Sequence, residues 1–534
     1  MSQAQATTQG PLATRKEWIG LGVISIACLL YVMDLSVLYL AVPSLTRDLA
    51  PSSSQLLWIT DIYGFMVAGF LITMGTLGDR IGRRRVLLFG AAAFGVASIL
   101  AAFAPSAEML IAARALLGIA GATVAPSTLS LIRNMFVDGK QRTTAIGIWG
   151  TSFAAGGAIG PLVGGSLLEY FWWGSVFLIN VPVMAALLVL GPKLLPEFRN
   201  PNAGKPDLTS VAMSLGAVLA VIYGLKQIAQ NGLGSVAVAA VVAGAALGVA
   251  FARRQKALPD PLLDLRLFRR KIFSVSVATN ALGGFIAFGT MLYIAQYLQL
   301  VAGLSPLKAG LWSLPSSLAI VGSSLAAPAV LRGVRPAAAA VGGLMFIATG
   351  LAMLTQVEAG AGIGLLVAGS VVFALGFGPL FILTTDLIIG SAPPEQAGAA
   401  SGISETGAEL GGALGIAILG SLGTAIYRGA VVDLVPAGVP DAATAAARDT
   451  LGGALAAAQQ LPAGVGRELV EGAQVAFTQG LNLTAGIGAA IAVAIAILVG
   501  TALRDVKMGA EPDAVTEEPV AAKELHLEPA CVEC

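Results

Sequence analysis

The residues of this chain that could do chemistry are acids standing where acids are expensive. Asp34 lies in YVMDLSVLYLAVP (31–43), inside an apolar run over 18–43 that holds no Lys or Arg. Those 26 residues are enough to cross a hydrocarbon core of about 30 Å with some tilt. An ionised Asp near the middle of such a helix costs roughly 2.5–3.5 kcal/mol, so it calls for a cation, a water-filled cavity or a proton. Glu405 and Glu409 in GISETGAELGGALGIAILGS (402–421) are four apart and share one helix face, and no Lys or Arg occurs in 388–427 to neutralise them. Two such carboxyls repel each other, which suits proton binding, and their negative field suits a lipophilic cation. Asp61, near the outer end of its helix, is a further candidate, with an interfacial role as the alternative. Arg114, in LIAARALLGIAGA (110–122), is the one base expected inside the membrane, and Asp34 is its most plausible counter-ion. Protonating the acid would free the arginine, so the pair has the form of a proton switch. Tyr31, Trp58, Tyr63 and Tyr293 are the aromatic candidates for cation–π contact with a bound cation.

These side chains must be positioned by membrane helices. Of 534 residues, 56% are hydrophobic and 11% charged, with a mean hydropathy of +0.83, far from the mix of a soluble globular domain. Sixty-six glycines favour close helix approach in lipid. Apolar runs of suitable length number fourteen, over 18–43, 56–77, 86–104, 108–132, 143–168, 172–192, 208–228, 234–252, 272–300, 309–331, 337–357, 361–389, 396–427 and 476–503. With the N-terminus inside, six of 31 Lys and Arg fall outside (Arg47, Lys226, Lys308, Arg428, Arg448 and Arg467), Arg114 falls within a helix, and all others are cytoplasmic. This bias predicts both termini in the cytoplasm. The basic stretch 253–271 reads as an interfacial segment with its Leu and Phe in the headgroups. The long outer loop 428–475 reads as a small Ala-rich helical hairpin. The tail 504–534 is too acidic and Pro-rich to pack. No cleavable signal peptide is expected. Cysteines number three, too few and too scattered for a disulfide framework, and although Cys531, Cys534 and His526 offer donors, no metal site is expected.

Between the second and third helices stands GTLGDRIGRRR (75–85). Gly75 and Gly82 permit a tight turn, Asp79 can accept from backbone N–H groups or an arginine, and Arg80, Arg83 and Arg84 hold the loop at a charged face. In the fifth helix GGAIGPLVGG (156–165) sets Gly156, Gly160 and Gly164 on one face, with Pro161 interrupting the ladder and Gly165 following, a pattern for close packing with a kink. These motifs, with LWITDIY (57–63), WWGSVFLINVP (172–182), PLLDLRLF (261–268) and GLSPLKAGLWSLP (303–315), resemble the major facilitator superfamily and within it the fourteen-helix drug:proton antiporter family, near the exporters of quaternary ammonium compounds and dyes. The C-terminal half repeats the loop signature only faintly, at 332–335.

The resemblance implies an all-α integral membrane protein of the major facilitator fold in a six plus two plus six arrangement. A cytoplasmic leader (1–17) would precede a six-helix bundle (18–192), two inserted helices with a basic linker (193–271), a second six-helix bundle (272–503) and the tail. It also implies a monomeric exporter of small lipophilic cations in the bacterial inner membrane, working by alternating access. The chain holds no Walker loop, and no cofactor or nucleic acid is expected, so an ion gradient, here the proton gradient, must supply the energy. An exporter of an endogenous metabolite such as an antibiotic, siderophore or lipid is the alternative. The tenth helix lacks the acid associated with divalent cationic drugs, which leaves dication handling open.

Overall fold

A computed structural model describes residues 12–199, 207–259, 261, 263–331, 334–392 and 397–504. The tail bearing His526, Cys531 and Cys534, and half of the faint repeat at 332–335, lie outside the described residues. Fourteen helices are long and apolar enough to cross a membrane. They are α1 (Arg15–Leu49), α2 (Ser53–Ile81), α3 (Arg83–Ala102), α4 (Ala107–Met135), α5 (Thr144–Tyr170), α6 (Ser175–Leu194), α7 (Leu208–Ile228), α8 (Ser235–Ala257), α9 (Lys271–Val301), α10 (Pro306–Ala327), α11 (Pro336–Leu354), α12 (Gly364–Gly390), α13 (Ala400–Val432) and, after two short helices, the last span Ala463–Ala502. No strand occurs among the described residues.

Local chemistry sets the helix ends. Thr14 with Glu17 and Ser52 with Gln55 form capping boxes that open α1 and α2. Gly82 separates α2 from α3 with a φ of +117°, and a Cβ there would lie 2.3 Å from a Glu197 carboxylate oxygen, so the turn needs glycine twice over. Asp79 pairs with Arg83 at 2.5 Å, and Arg83 also donates to the Pro126 carbonyl, which ties the loop to α4; Arg80 stays exposed.

Two seams join the N-terminal helices to the C-terminal ones, α2 against α13 and α5 against α10. Several hydrogen bonds cross between the halves at the end remote from the 75–85 loop. Gln299 donates to the Leu40 carbonyl at 3.0 Å, the Leu307 amide reaches Glu169, and Arg428 reaches both Ser53 and Asp449. That end is closed.

Three expectations need correction here. The outer segment is not a hairpin of two pieces: its first half breaks at Thr450 into α14 (Asp441–Asp449) and α15 (Leu451–Ala458), because Thr450 is extended and caps the second helix. Its second half, from Ala463, is simply the first turns of the last span, α16 (Ala463–Ala502). The linker residues Leu267 and Phe268 do not sit outward; they pack against Phe273, Ile388, Ala392 and Ile403, protein rather than lipid supplying the apolar cover. Lys226, counted with the outer charges, does not reach the surface, since its helix continues to Asn231 and buries it.

Candidate functional site

A cavity of about 320 Å³ lies between the halves, walled by α1, α5, α9, α10, α12 and α13. Its lining is apolar and aromatic, with Tyr31, Tyr39, Phe153, Phe288, Phe373 and Phe377 around a few serines and Asn280. The volume falls at the small end of the range for drug-sized ligand sites. Glu405 and Glu409 stand on the α13 wall, and they are the charged groups among the cavity's lining residues. The Tyr31 hydroxyl donates to Glu409 Oε1 at 3.0 Å, a bond that crosses from one half to the other.

Asp34 does not face this cavity. Its carboxylate is buried behind the wall, where Arg114 Nη1 lies 2.5 Å from Oδ2 and Asn180 donates to Oδ1 at 3.0 Å. Arg114 is fully buried; its Nε donates to the Ile59 carbonyl, its guanidinium lies 4.7 Å from the Tyr63 ring centre, and its Nη2 has no hydrogen-bond partner among the described residues. Such a pair survives burial because each charge is countered and hydrogen-bonded; removing one partner alone strands the other. Tyr63 and Tyr31 then bridge the pair to the cavity, their ring centres 6.1 Å apart.

Asp61 is buried, against the interfacial alternative. It is 1% exposed, with Lys226 Nζ 2.7 Å from Oδ2 and, on the other side, 3.9 Å from the centre of the Trp58 ring. Arg114 is therefore not the lone intramembrane base. Among the proposed aromatic contacts only Tyr31 lines the cavity. Trp58 covers Lys226, Tyr63 covers Arg114, and Tyr293 donates to the Gly420 carbonyl at 3.0 Å beneath the outer short helices. Sequence reasoning missed Lys226 and Asn180 as partners of the two buried aspartates.

The glycine stripe of α5 has a packing task. A Cβ at Gly156 would lie 2.3 Å from the Leu29 carbonyl oxygen, at Gly160 2.0 Å from Ser36 Oγ, and at Gly164 2.7 Å from a Val37 methyl. So α5 lies in backbone contact with α1, the helix bearing Tyr31 and Asp34. Gly165 faces the Pro306 carbonyl, and the Pro161 carbonyl faces Gly310, so the same stretch also seats α10. Pro161 and Gly157 line the cavity, so this segment is both cavity wall and helix contact.

The model of the Major Facilitator Superfamily matches residues 24–416. The multidrug efflux pump LfrA of Mycolicibacterium smegmatis is 44% identical over 499 residues, covering 93% of this chain and 98% of that protein. The methyl viologen resistance protein SmvA of Salmonella typhimurium is 36% identical, covering 86% and 93%. The tetracenomycin C resistance and export protein of Streptomyces glaucescens is 32% identical, covering 95% of each. Among solved structures, the inward-facing, unoccupied bacterial homologue of the human lysosomal transporter Spinster superposes with a TM-score of 0.66 at 15% identity, over 93% of this chain and all of that one, a likeness of fold. The chain belongs to the Major Facilitator Superfamily, a transporter rather than an enzyme and a multi-pass protein of the bacterial inner membrane.

Proposed function

We propose that this transporter is a proton-coupled exporter of lipophilic cationic drugs, dyes and quaternary ammonium compounds. The observation that carries the reading is the cavity itself: an aromatic and apolar chamber between the halves whose charged lining groups are the two carboxylates Glu405 and Glu409. A delocalised cation finds there a negative field, aromatic faces and little competing hydrogen bonding. A proton neutralises the same carboxylates, so proton and drug compete for one site, which is the thermodynamic requirement for exchange. One proton for one monovalent cation moves no net charge and draws on the pH gradient; a second proton adds about 2.3 kcal/mol per 100 mV.

Asp34 and Arg114 have a different part in this scheme. Tyr63 and Tyr31 stand between their pair and the cavity, so it serves as a positioning switch that senses the state of Glu409 through the Tyr31 hydroxyl. The N-terminus and the 75–85 loop would face the cytoplasm, and the closed end would face outward. The names of the relatives agree with multidrug and single-compound export alike. Export of a compound made by the host cell is thus a second reading.

The test is drug-triggered proton movement in everted vesicles held at a pH gradient, with ethidium or a quaternary ammonium added to wild type, Glu405→Gln and Glu409→Gln. Proton flux in the wild type that both substitutions abolish is the expected result. Absence of flux with every cationic dye would overturn the multidrug reading and turn the search to endogenous substrates.

A further inference from the structure

The inserted helix α7 is not a passive spacer. It lies along the outside of the α2–α13 seam, where Ile222 is buried with Phe65 of α2 and with Ala413 and Ala417 of α13, while Trp58, Val218 and Leu414 pack around them. Its contact with α13 is apolar among these described residues, a surface across which helices can slide. Its contact with α2 is different in kind. Lys226 and Asp61 meet at 2.7 Å with both side chains essentially sealed from solvent, and the Trp58 ring closes over the ammonium. Further along, Leu215 fills the notch left by Gly69, where a Cβ would come within 2.2 Å of a Leu215 methyl. One seam partner is held by a buried ion pair and a knob-in-notch fit, and the other by smooth apolar packing.

We infer that Lys226 is a positioning residue that locks the inserted helices to the N-terminal half and keeps Asp61 permanently countered, so that α7 moves with α2 and shields the seam while α13 slides beneath it. Asp61 then stands outside the proton and substrate traffic. Nothing in this requires proton coupling; it requires only that the protein transports. A charge pair sealed at this depth is costly to separate, since each ion freed in lipid would be uncompensated. An opening motion therefore takes place at the α7–α13 surface, where nothing of that cost is broken.

The experiment compares ethidium efflux by Asp61→Asn, Lys226→Met and the double variant in the full-length protein, across external pH. Each single substitution strands a buried charge and is expected to lower efflux about tenfold or more, while the double variant recovers to within about threefold of wild type with an unchanged pH profile. A double variant as inactive as Asp61→Asn, or one whose pH dependence is flattened, would make Asp61 a proton carrier and overturn the inference. A second measurement stands apart from folding of those variants. In a background with Cys28, Cys531 and Cys534 replaced, Gly69→Cys with Leu215→Cys places two thiols across the α2–α7 notch, the smaller side chain making room for the added Cβ. Efflux that survives oxidative cross-linking supports a shared rigid movement; efflux lost on oxidation and regained on reduction would refute it.

Discussion

Replacing Glu409 by Gln separates charge from shape at the cavity. The Tyr31 hydroxyl now donates to Glu409 Oε1 at 3.0 Å, and a glutamine carbonyl oxygen in the same place accepts the same bond, so the wall and the link between the halves persist. What disappears is one carboxylate facing the cavity. At an effective dielectric of about 20, a unit charge 4 Å from a bound cation contributes about 4 kcal/mol, falling to about 3 kcal/mol near 5–6 Å. At about 1.4 kcal/mol per decade, the single variant is expected to lose about a hundred- to a thousandfold in cation affinity, and the Glu405→Gln, Glu409→Gln double, which also removes the neighbouring charge one helical turn away, more than that. The assay is titration of ethidium fluorescence with purified protein, with a neutral lipophilic dye as control. Wild-type affinity for the cation should rise with pH, because deprotonated carboxylates bind it, and this dependence should vanish in the double variant. The neutral dye should bind all forms alike. Equal ethidium affinity for wild type and double variant would refute the electrostatic account of the cavity, and parallel loss of the neutral dye would show a collapsed site instead.

Other consequences follow from the same contacts. Asp34→Asn and Arg114→Met should each destabilise the detergent-solubilised protein by about 3–5 kcal/mol by stranding a buried charge, with Asp34→Asn, Arg114→Met together regaining much of it; thermal unfolding of all three tests the coupling. Gly160→Ala drives a methyl into Ser36 Oγ and should abolish most efflux, whereas adding Ser36→Ala should return part of it because the nearest obstructing atom is gone. A dication carries two charges, so its binding should depend on both cavity acids. Glu405→Gln is expected to lower the affinity for a dicationic dye more than for ethidium, measured side by side by fluorescence titration. Arg428→Gln loosens the contact of α13 with Ser53 and Asp449 and should raise the labelling of a cysteine at 424, which lines the same pocket.

The helices were legible because apolar length and the absence of charge leave little alternative to crossing the bilayer. Asp34 and Arg114 were legible as partners for the same reason: each was an isolated charge in an apolar run, and isolated charges in lipid find one another. Lys226 was not, because it stands two residues before the expected end of its helix at 228, where a lysine ordinarily reaches for the headgroups. The actual helix runs to Asn231. The available signal was position: Asp61 stands five residues past the expected start of the second helix at 56 and Lys226 two before the expected end of the seventh at 228, both near the same membrane face. The fate of the aromatics was beyond the sequence. Tyr31 and Tyr63 look alike in their helices, yet only helix rotation decides that one meets the cavity and the other the guanidinium.

The distribution of charge through the bundle separates two tasks that a single buried acid could not perform together. A carboxylate that must exchange protons and cations has to be reachable and lightly partnered, as Glu405 and Glu409 are on the cavity wall. A carboxylate that must hold two helices in one arrangement has to be closely countered, as Asp34 is by Arg114 and Asn180 on both oxygens and Asp61 is by Lys226 on one. Countered pairs hold helices through short charged contacts, and exposed ones are too mobile to organise a helix interface. The two countered pairs both involve the N-terminal half, one inside it and one joining it to the inserted helices, while the two reachable acids both belong to α13 of the other half. On the proposed mechanism the N-terminal half is the braced body and α13 carries the responsive charge. The Tyr31 hydroxyl on Glu409 is the hydrogen bond through which the two halves would then communicate.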